Sequence, residues 1–405
     1  MEKFFTKIFN TLKNKLTRDI LLVILAMAAA LFTLVKLQII GPNGAEKKPG
    51  IHTITLTFSC FWENREDALE KLINEYQELH RGIRINLNHL PYETFRSGLQ
   101  NEMPETAAAS APAAGSITAC DIIALDQRWV TELQERGIIE PETYPLLRFF
   151  YPLFYNTGIL LNSGINHPPK TRGEFLDQAK KISGNGVYAA AMALGENNGQ
   201  GLLRDVYPWI WAAGSGSLSA QPLKEALDFI LILHNENLLL PGTLSLDERQ
   251  KAKAFLDGRI AFMIGSAEDM ESAKTALGDS FGYTTIPAPD NYQGKPYFGA
   301  GSWILGIPAQ SKYREEALSF INYLMENNNC LAEGWAIPKN GNPGMGQDLF
   351  YSKAAELYIG AELVDGFAGI DMKKADAVFY DAVRNLLTGN MTSEEAAGHI
   401  MQKLK

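Results

Sequence analysis

The chain has 405 residues, which is enough to bury a large core and favours two lobes over one. Apolar residues make up 46% and charged residues 20% of the sequence, so disorder throughout the chain is excluded. Residues 1–50 carry eight Lys and Arg against three Asp and Glu, whereas the remaining residues carry 29 against 43. The acidic body argues against a nucleic-acid-binding protein.

A basic head, residues 1–18, precedes an apolar segment at residues 19–40. The apolar run is close to the roughly 20 residues that span a bilayer, and Lys36 can reach the interface. Positive flanking charge should hold the head in the cytoplasm and place the body on the extracytoplasmic side. We therefore predict a single-pass membrane anchor followed by a flexible tether, residues 41–50; a cleaved signal peptide ending near Ala28–Ala30 is the alternative.

The body begins with a β-α-β pattern. Residues 51–60 alternate and are β-branched, the next segment has apolar residues at helical spacing, and IRINLNHL is a second strand. This order favours a parallel sheet with helices on its faces. Ligands of such sheets lie outside the carboxyl ends of the strands, and Glu63, Asp126 and Trp129 fall at these ends. We expect these three residues to be in a ligand site.

The middle of the chain predicts a crossover between lobes. Residues 145–156 are aromatic and interrupted by proline, which places Tyr155 and Asn156 near a hinge. Three capping boxes predict helix starts at Thr171 with Glu174, Ser245 with Glu248 and Thr392 with Glu395. Trp209 and Trp211 alternate along the chain, so we expect at most one of them to face a cleft.

Residues 297–308 (YFGAGSWILGIP) predict a strand that forms the floor of a ligand cleft. Gly299 and Gly301 would let the backbone approach a ligand, while Ser302 offers a hydroxyl and Trp303 a flat apolar face. A buried strand with a core tryptophan is the alternative.

No sequence signature of catalysis or metal binding occurs. The P-loop, G-x-S-x-G, H-E-x-x-H and paired C-x-x-C motifs are all missing, and the six histidines are isolated from one another. Cys60, Cys120 and Cys330 are too scattered for a disulfide framework or a metal site, so we expect small buried residues. A catalytic triad assembled only in space stays possible, but no motif favours it.

Five segments, in this order, resemble the extracellular solute-binding proteins of ABC importers, the family 1 type with maltose- and oligosaccharide-binding members. They are CDIIALD with a following Trp and ERGIIEP, FYNTGILLNSGINHPPKTRGEF, AFLDGRIAFMIGS, TTIPAP, and GAGSWILGIPAQSKYREEALSFINYL. No single segment is unique to that family, but five in its order are quite specific. The resemblance covers residues 51–405. Two positions depart from it: Arg172 stands where members commonly have Trp, and Ala267–Asp269 lack an aromatic residue.

The resemblance implies an α/β fold of the periplasmic-binding-protein-like II class, here preceded by the transmembrane helix. Two α/β lobes joined by a hinge would enclose a ligand cleft. Lobe 1 would contain residues 51–148 and 290–332, and lobe 2 residues 152–286 and 334–405.

The implied function is the substrate-binding component of an ABC importer. It would be a monomer without enzymatic activity or cofactor that binds a sugar or oligosaccharide and delivers it to permease subunits. Alternatives are a membrane-tethered sensing or adhesion module with the same fold, or a phosphorylated glycerol ester as ligand. The candidate ligand-binding residues are Trp62, Glu63, Asp126, Trp129, Tyr155, Asn156, Trp209, Trp211, Glu268, Ser302, Trp303 and Trp335.

Overall fold

The computed structural model describes residues 53–62, 65–102, 119–195, 201–214, 216–331, 337–338 and 349–404. The chain divides into two units, residues 1–54 with 80–84 and residues 55–79 with 85–405. In the first unit the described residues are 53–54 and 80–84, which form strand ends and a turn. The candidate site and both sheets, apart from residues 54 and 83–84, belong to the second unit.

Strands and helices alternate through the first half of the chain. The strands are β1 (Ile54–Cys60), β2 (Ile83–His89), β3 (Ile122–Asp126), β4 (Ile139–Tyr151), β5 (Leu153–Asn156), β6 (Tyr188–Ala190), β7 (Ile260–Ile264), β8 (Phe281–Thr284), β9 (Tyr297–Pro308), β10 (Ile337–Pro338) and β11 (Glu362–Val364). The helices are α1 (Glu66–Leu79), α2 (Tyr92–Glu102), α3 (Gln127–Glu135), α4 (Thr157–Asn162), α5 (Arg172–Ile182), α6 (Gly201–Asp205), α7 (Tyr207–Trp211), α8 (Ala220–Asn235), α9 (Glu248–Leu256), α10 (Ala267–Leu277), α11 (Arg314–Asn327), α12 (Leu349–Ile359), α13 (Met372–Leu387) and α14 (Ser393–Leu404).

A seven-stranded sheet has the order β10-β4-β9-β3-β1-β2, with β11 paired to β9 outside this path. The predicted parallel arrangement holds for β1 and β3. The long strand β9 is antiparallel to both of its neighbours, β3 and β4, and its register places Trp303 between Asp126 and Leu147. Residues distant in sequence are thereby fixed side by side.

A four-stranded sheet has the order β6-β7-β5-β8. β5 is antiparallel to β7 and β8, and β6 is parallel to β7. The chain passes from the first sheet to the second at Pro152, where β4 ends and β5 begins, within the range 145–156 that the sequence predicts as a crossover. It returns between β8 and β9.

The lobe boundaries proposed from the sequence stay a prediction, but two short strands qualify them. β10 pairs with β4, and β11 pairs with β9, so both belong to the seven-stranded sheet. Both lie in the range 334–405, which the sequence assigns to lobe 2. The apolar patterns of three residues or fewer in these strands are too short for a sequence to identify.

One of the three predicted capping boxes is complete, at Thr392, and at Thr171 only the side-chain cap is present, because Glu174 accepts from the Lys170 amide instead. Thr171 accepts a hydrogen bond from the Glu174 amide, and Thr392 exchanges hydrogen bonds with Glu395. The third prediction was wrong, because α9 is capped by Asp247 and Gln250 instead of Ser245 and Glu248. Asp and Ser are about equally good at this position, and the Ser245 hydroxyl instead donates to the Gly242 carbonyl in the preceding turn.

The membrane anchor predicted at residues 19–40 lies outside the described residues, as do the basic head and the tether. Within the ranges that the structure describes, no helix combines the length and the apolar character needed to cross a membrane. The anchor therefore stays a prediction. Cys60 and Cys120 are buried, as expected, while Cys330 is half-buried.

Arg172 is a buried cation in the core beside the four-stranded sheet. It is 6% exposed, its guanidinium lies over the Phe229 ring, and it donates to the Trp209 carbonyl, but its Nε has no partner. In the described part of the chain no carboxylate forms an ion pair with it. Burial lowers the pKa of Arg172 to about 10, and its place at the start of α5 sets a positive charge at the positive end of the helix dipole.

We predict that Arg172→Met stabilises the protein by about 1 kcal/mol, because it removes a poorly compensated buried charge while keeping apolar volume. Urea unfolding of the variant would measure the change. Arg259→Met, at an exposed position, is the control and should leave the midpoint unchanged. A loss of several kcal/mol in Arg172→Met would show that Arg172 has a strong partner.

Candidate ligand-binding cleft

A cavity of about 1130 Å³ is lined on one side by the seven-stranded sheet and on the other by helices from the second half of the chain. We call the two sides of the cavity the first wall and the second wall. The first wall is built on β3, β4 and β9 and presents Asp126, Phe149, Tyr151, Ser302 and Trp303. The second wall is built on α6, α9, α10 and the loop before α9, and presents Arg204, Leu246, Glu248, Asp269 and Ser272.

The first wall is aromatic. The Phe149 ring stands edge-on to Trp303 at 6.2 Å and to Tyr151 at 5.9 Å between ring centroids. Trp62 stacks on Trp303 with centroids 4.9 Å apart and an interplanar angle of 8°. Trp62 is 1% exposed and does not line the cavity, so it supports the Trp303 indole from behind.

Gly299 and Gly301 make room for neighbouring side chains, and Gly301 also lines the cavity, so its approach to a ligand stays a prediction. A Cβ atom at Gly301 would lie 2.3 Å from the Phe149 ring, and one at Gly299 would lie 2.9 Å from Trp211. In the sheet Gly301 pairs with Phe149, and Gly299 pairs with Tyr151. These glycines therefore let the aromatic wall form.

Asp126 joins the first wall to a polar cluster. Its Oδ1 accepts from the Arg128 amide at 3.0 Å, which caps α3, and its Oδ2 accepts from the Tyr92 hydroxyl at 3.1 Å. The Arg128 guanidinium lies 3.4 Å away. Burial acts to raise the pKa of Asp126, but Arg128 and these hydrogen bonds outweigh it and hold that pKa below its usual range. The pair is ionised at neutral pH.

A second cavity of about 1240 Å³ adjoins the first. Gln127, Arg128 and Asp365 line both cavities, and the Gln127 amide donates to the Asp365 carboxylate between them. Trp129 faces this second cavity and is stacked against Tyr92 with centroids 5.4 Å apart. The candidate residue Trp129 thus lies beside the first cavity instead of in it.

The structure brings three of the predicted site residues, Asp126, Ser302 and Trp303, to the first cavity. Glu63 and Trp335 lie outside the described residues, and of Glu268 only the backbone, in the first turn of α10, is described. Ligand contact stays a prediction for all of them.

Besides Trp62, four candidates face neither of the two cavities described above. The Asn156 side chain caps α4 by accepting from the Ile159 amide, and Tyr155 packs against Gly282. Trp209 packs between Phe175 and Phe229 in the core, and Trp211 packs against Tyr207 and Phe367. A sequence does not distinguish a tryptophan at a cleft from one in a core, because both positions favour a large apolar side chain.

Sequence analysis missed most of the second wall. Arg204, Glu248 and Asp269 are ordinary charged residues on three helices, and no motif sets them apart. Phe149 and Tyr151 lie in the aromatic stretch that was interpreted only as a crossover. Their alternation along β4 is the signal that could have assigned them to one face of the sheet.

The described residues of the site give no support for metal binding. Within the described ranges, no group of three His, Cys, Asp or Glu side chains could hold a metal ion. The cavity instead combines aromatic faces with hydrogen-bonding groups, which is the composition of a site for a small organic solute.

Comparisons with known proteins agree with this geometry. The profile of the bacterial extracellular solute-binding protein family matches residues 62–329. A probable ABC transporter-binding protein of Deinococcus radiodurans is 28% identical over 190 residues, which are 42% of this chain and 44% of that protein. The matched segment thus spans less than half of that relative.

Two solved structures share the fold. Maltose-bound MalE3 of T. maritima has a TM-score of 0.69 at 20% identity and covers 86% of this chain and 98% of its own. An ABC transporter solute-binding protein of Thermotoga lettingae TMO, bound with α-D-tagatose, has a TM-score of 0.70 at 20% identity and covers 87% and 100%.

Fold and cleft together define a solute-binding protein of the periplasmic-binding-protein-like α/β class, which binds its solute without chemical reaction. The chain belongs to the bacterial extracellular solute-binding protein family. This membership places the body outside the cytoplasm.

We predict that Asp126→Asn destabilises the protein by roughly 2 kcal/mol at pH 7, because Asn keeps the helix cap but removes the carboxylate that forms the ion pair with the half-buried Arg128. The lowered folded-state pKa means that the carboxylate stabilises the fold above the unfolded-state pKa and that this contribution is lost as pH falls through the folded-state value. The difference between variant and wild type should therefore shrink below about pH 4.

Urea unfolding between pH 7 and pH 3.5 measures this difference. The exposed Asp257→Asn is the control and should change stability by less than about 0.5 kcal/mol at each pH. A destabilisation by Asp126→Asn that does not vary with pH would contradict the assignment of an ionised, lowered-pKa carboxylate.

Proposed function

We propose that this protein is the substrate-binding component of an ABC importer and that its cleft binds a neutral mono- or oligosaccharide. The observation that carries the proposal is the pairing of an aromatic wall with a polar wall across one cavity. Sugar rings have apolar C–H faces, which pack on flat aromatic side chains, and polar edges, which need hydrogen-bonding groups.

Trp303 lines the cavity, although it is only 2% exposed in this structure, and its neighbours Phe149 and Tyr151 are 8% and 3% exposed. The Trp303 indole is held from behind by Trp62 and from the side by Phe149, so its orientation is fixed before a ligand arrives. A preorganised surface of this kind loses little conformational entropy on binding. Trp62 contributes to this site as a support and not as a contact.

The charge of the cavity argues against an anionic ligand such as a phosphorylated glycerol ester. Phosphate sites in proteins need clustered Arg or Lys side chains. The lining residues with charged side chains are Asp126, Asp247, Glu248, Asp269 and Asp365 against Arg128, Arg204 and Arg249. Three of the carboxylates are within 3.5 Å of an arginine, so little positive charge is left to bind an anion.

The mechanism follows from the position of the cleft between two separate walls. A ligand can shift an equilibrium between open and closed arrangements only by its differential affinity for them. Groups of both walls must therefore contact it: Trp303, Ser302 and Asp126 on the first, and Arg204, Glu248 and Asp269 on the second. Closure around the solute would give the permease a surface to recognise, with the two lobes hinged near Pro152.

The relatives support the proposal at the level of class. One is named a probable ABC transporter-binding protein, and the two solved structures hold maltose and tagatose. Both sugars are neutral. The low identities carry no information on which sugar this chain takes.

We predict that Trp303→Leu weakens sugar binding by about 2 kcal/mol, roughly thirtyfold, because it removes the flat aromatic side chain from the lining of the cavity. Calorimetric titration of the full-length protein in mild detergent against a panel of neutral sugars, including maltose and tagatose, measures the change.

Trp209→Phe is the matched control, because Trp209 is packed in the core away from both cavities; it should bind as wild type does. Unfolding midpoints of both variants show whether each is folded. If no sugar binds to the wild type while a phosphate ester, a metal ion or a protein does, the proposed ligand class is wrong.

A further inference from the structure

Arg204 of the second wall lies against the first wall. Its guanidinium carbon is 5.4 Å from the centroid of the Tyr151 ring, a cation–π distance, and the Arg204 side chain is 9% exposed. Tyr151 is the last residue of β4 and directly precedes Pro152, where the chain crosses to the second sheet. The contact therefore joins the two walls beside the crossover.

Two carboxylates of the second wall hold the guanidinium in place. Arg204 Nη1 lies 3.4 Å from Glu248 Oε2 and 3.5 Å from Asp269 Oδ2. Glu248 is the first residue of α9, and Asp269 lies in the first turn of α10. Ion pairs with two helices restrict where the guanidinium can point.

A fully buried ion pair lies behind this arrangement. Lys251 Nζ is 2.8 Å and 2.9 Å from the two Asp205 carboxylate oxygens and 2.9 Å from Glu248 Oε2, the oxygen that also faces Arg204. The side chains of Lys251 and Asp205 are 1% and 2% exposed. Asp205 is in turn fixed by the Ala193 amide at 2.7 Å.

We propose that Arg204 and Tyr151 form a clasp that holds the two walls of the cleft together without ligand, and that the buried Lys251–Asp205 pair positions Arg204 for it through Glu248. A buried charge pair is expensive to desolvate and adds little stability in itself, so its retention needs a reason. Orientation of a residue at the cleft is such a reason. The inference rests on the proposed opening and closing of the cleft, but not on the identity of the solute.

The clasp should increase the closed population of the ligand-free protein. A cation–π contact that is largely desolvated changes a population ratio by about tenfold. Loss of the contact should therefore raise the ratio of open to closed protein about tenfold. The same loss should weaken solute binding, because less of the protein is in the binding-competent arrangement.

Pulsed electron–electron double resonance on the ligand-free, full-length protein measures this distribution directly. Nitroxide labels at Glu70→Cys on α1 and Lys253→Cys on α9 report the distance between the two sides, in a Cys330→Ser background; Cys60 and Cys120 are buried. Arg204→Met and Tyr151→Leu should each shift the distances to longer values. The double variant should add nothing further, because the two changes remove one contact.

Two more variants separate the parts of the proposal. Tyr151→Phe keeps the ring and should keep the wild-type distances. Lys251→Met combined with Asp205→Asn removes both buried charges and should lengthen the distances as Arg204→Met does; Lys251→Met alone leaves a buried carboxylate unpaired and is expected to unfold.

Unchanged distances in Arg204→Met would overturn the clasp. Distances that move in Arg204→Met but not in the Lys251/Asp205 double variant would overturn the positioning role, and independent, additive shifts in Arg204→Met and Tyr151→Leu would show that the two residues do not act as a pair. Because no solute is present, a failure of sugar binding elsewhere leaves each of these outcomes interpretable.

Discussion

The insertion of β9 between β3 and β4 is the constraint on which the cleft depends. Residues 297–308 arrive late in the chain, yet they occupy the centre of a sheet whose other strands are mostly contributed by residues 54–151. Their register sets Trp303 beside Asp126 and Gly301 beside Phe149. A shift by one residue would turn Trp303 to the opposite face, so this register fixes the aromatic wall.

The two walls of the cleft are stabilised by different kinds of interaction. The first wall is apolar: the Trp62–Trp303 stack and the ring of Phe149 bury their areas against one another, and the two glycines leave the space for it. The second wall depends on ion pairs that converge on Arg204 and Glu248 from three helices. A solute that contacts both walls therefore meets flat apolar surface on one side and oriented charge on the other.

Sequence reasoning identified an α/β protein, the crossover near Pro152 and the strand that carries Trp303, because each has a local signal: apolar periodicity, proline in an aromatic run, and a glycine-rich strand. The two-lobed class of fold came from the resemblance to a known family. It could not assign the second wall, because Arg204, Glu248 and Asp269 come together only through the packing of α6, α9 and α10. It also could not predict that Gly301 makes room for Phe149, which is about 150 residues away in the chain. A local pattern does not distinguish a core tryptophan from one that lines a cavity, and here burial does not either, because Trp209 is 3% and Trp303 is 2% exposed.

A crystal structure of the protein with the sugar that binds most tightly in a calorimetric panel is the most direct test of a solute site between two unlike walls. The account predicts that a sugar ring packs on the Trp303 indole while its hydroxyl groups bond to Arg204, Glu248 or Asp269 across the cavity. A sugar bound to one wall only, or bound outside the cavity with Trp303 untouched, would contradict it.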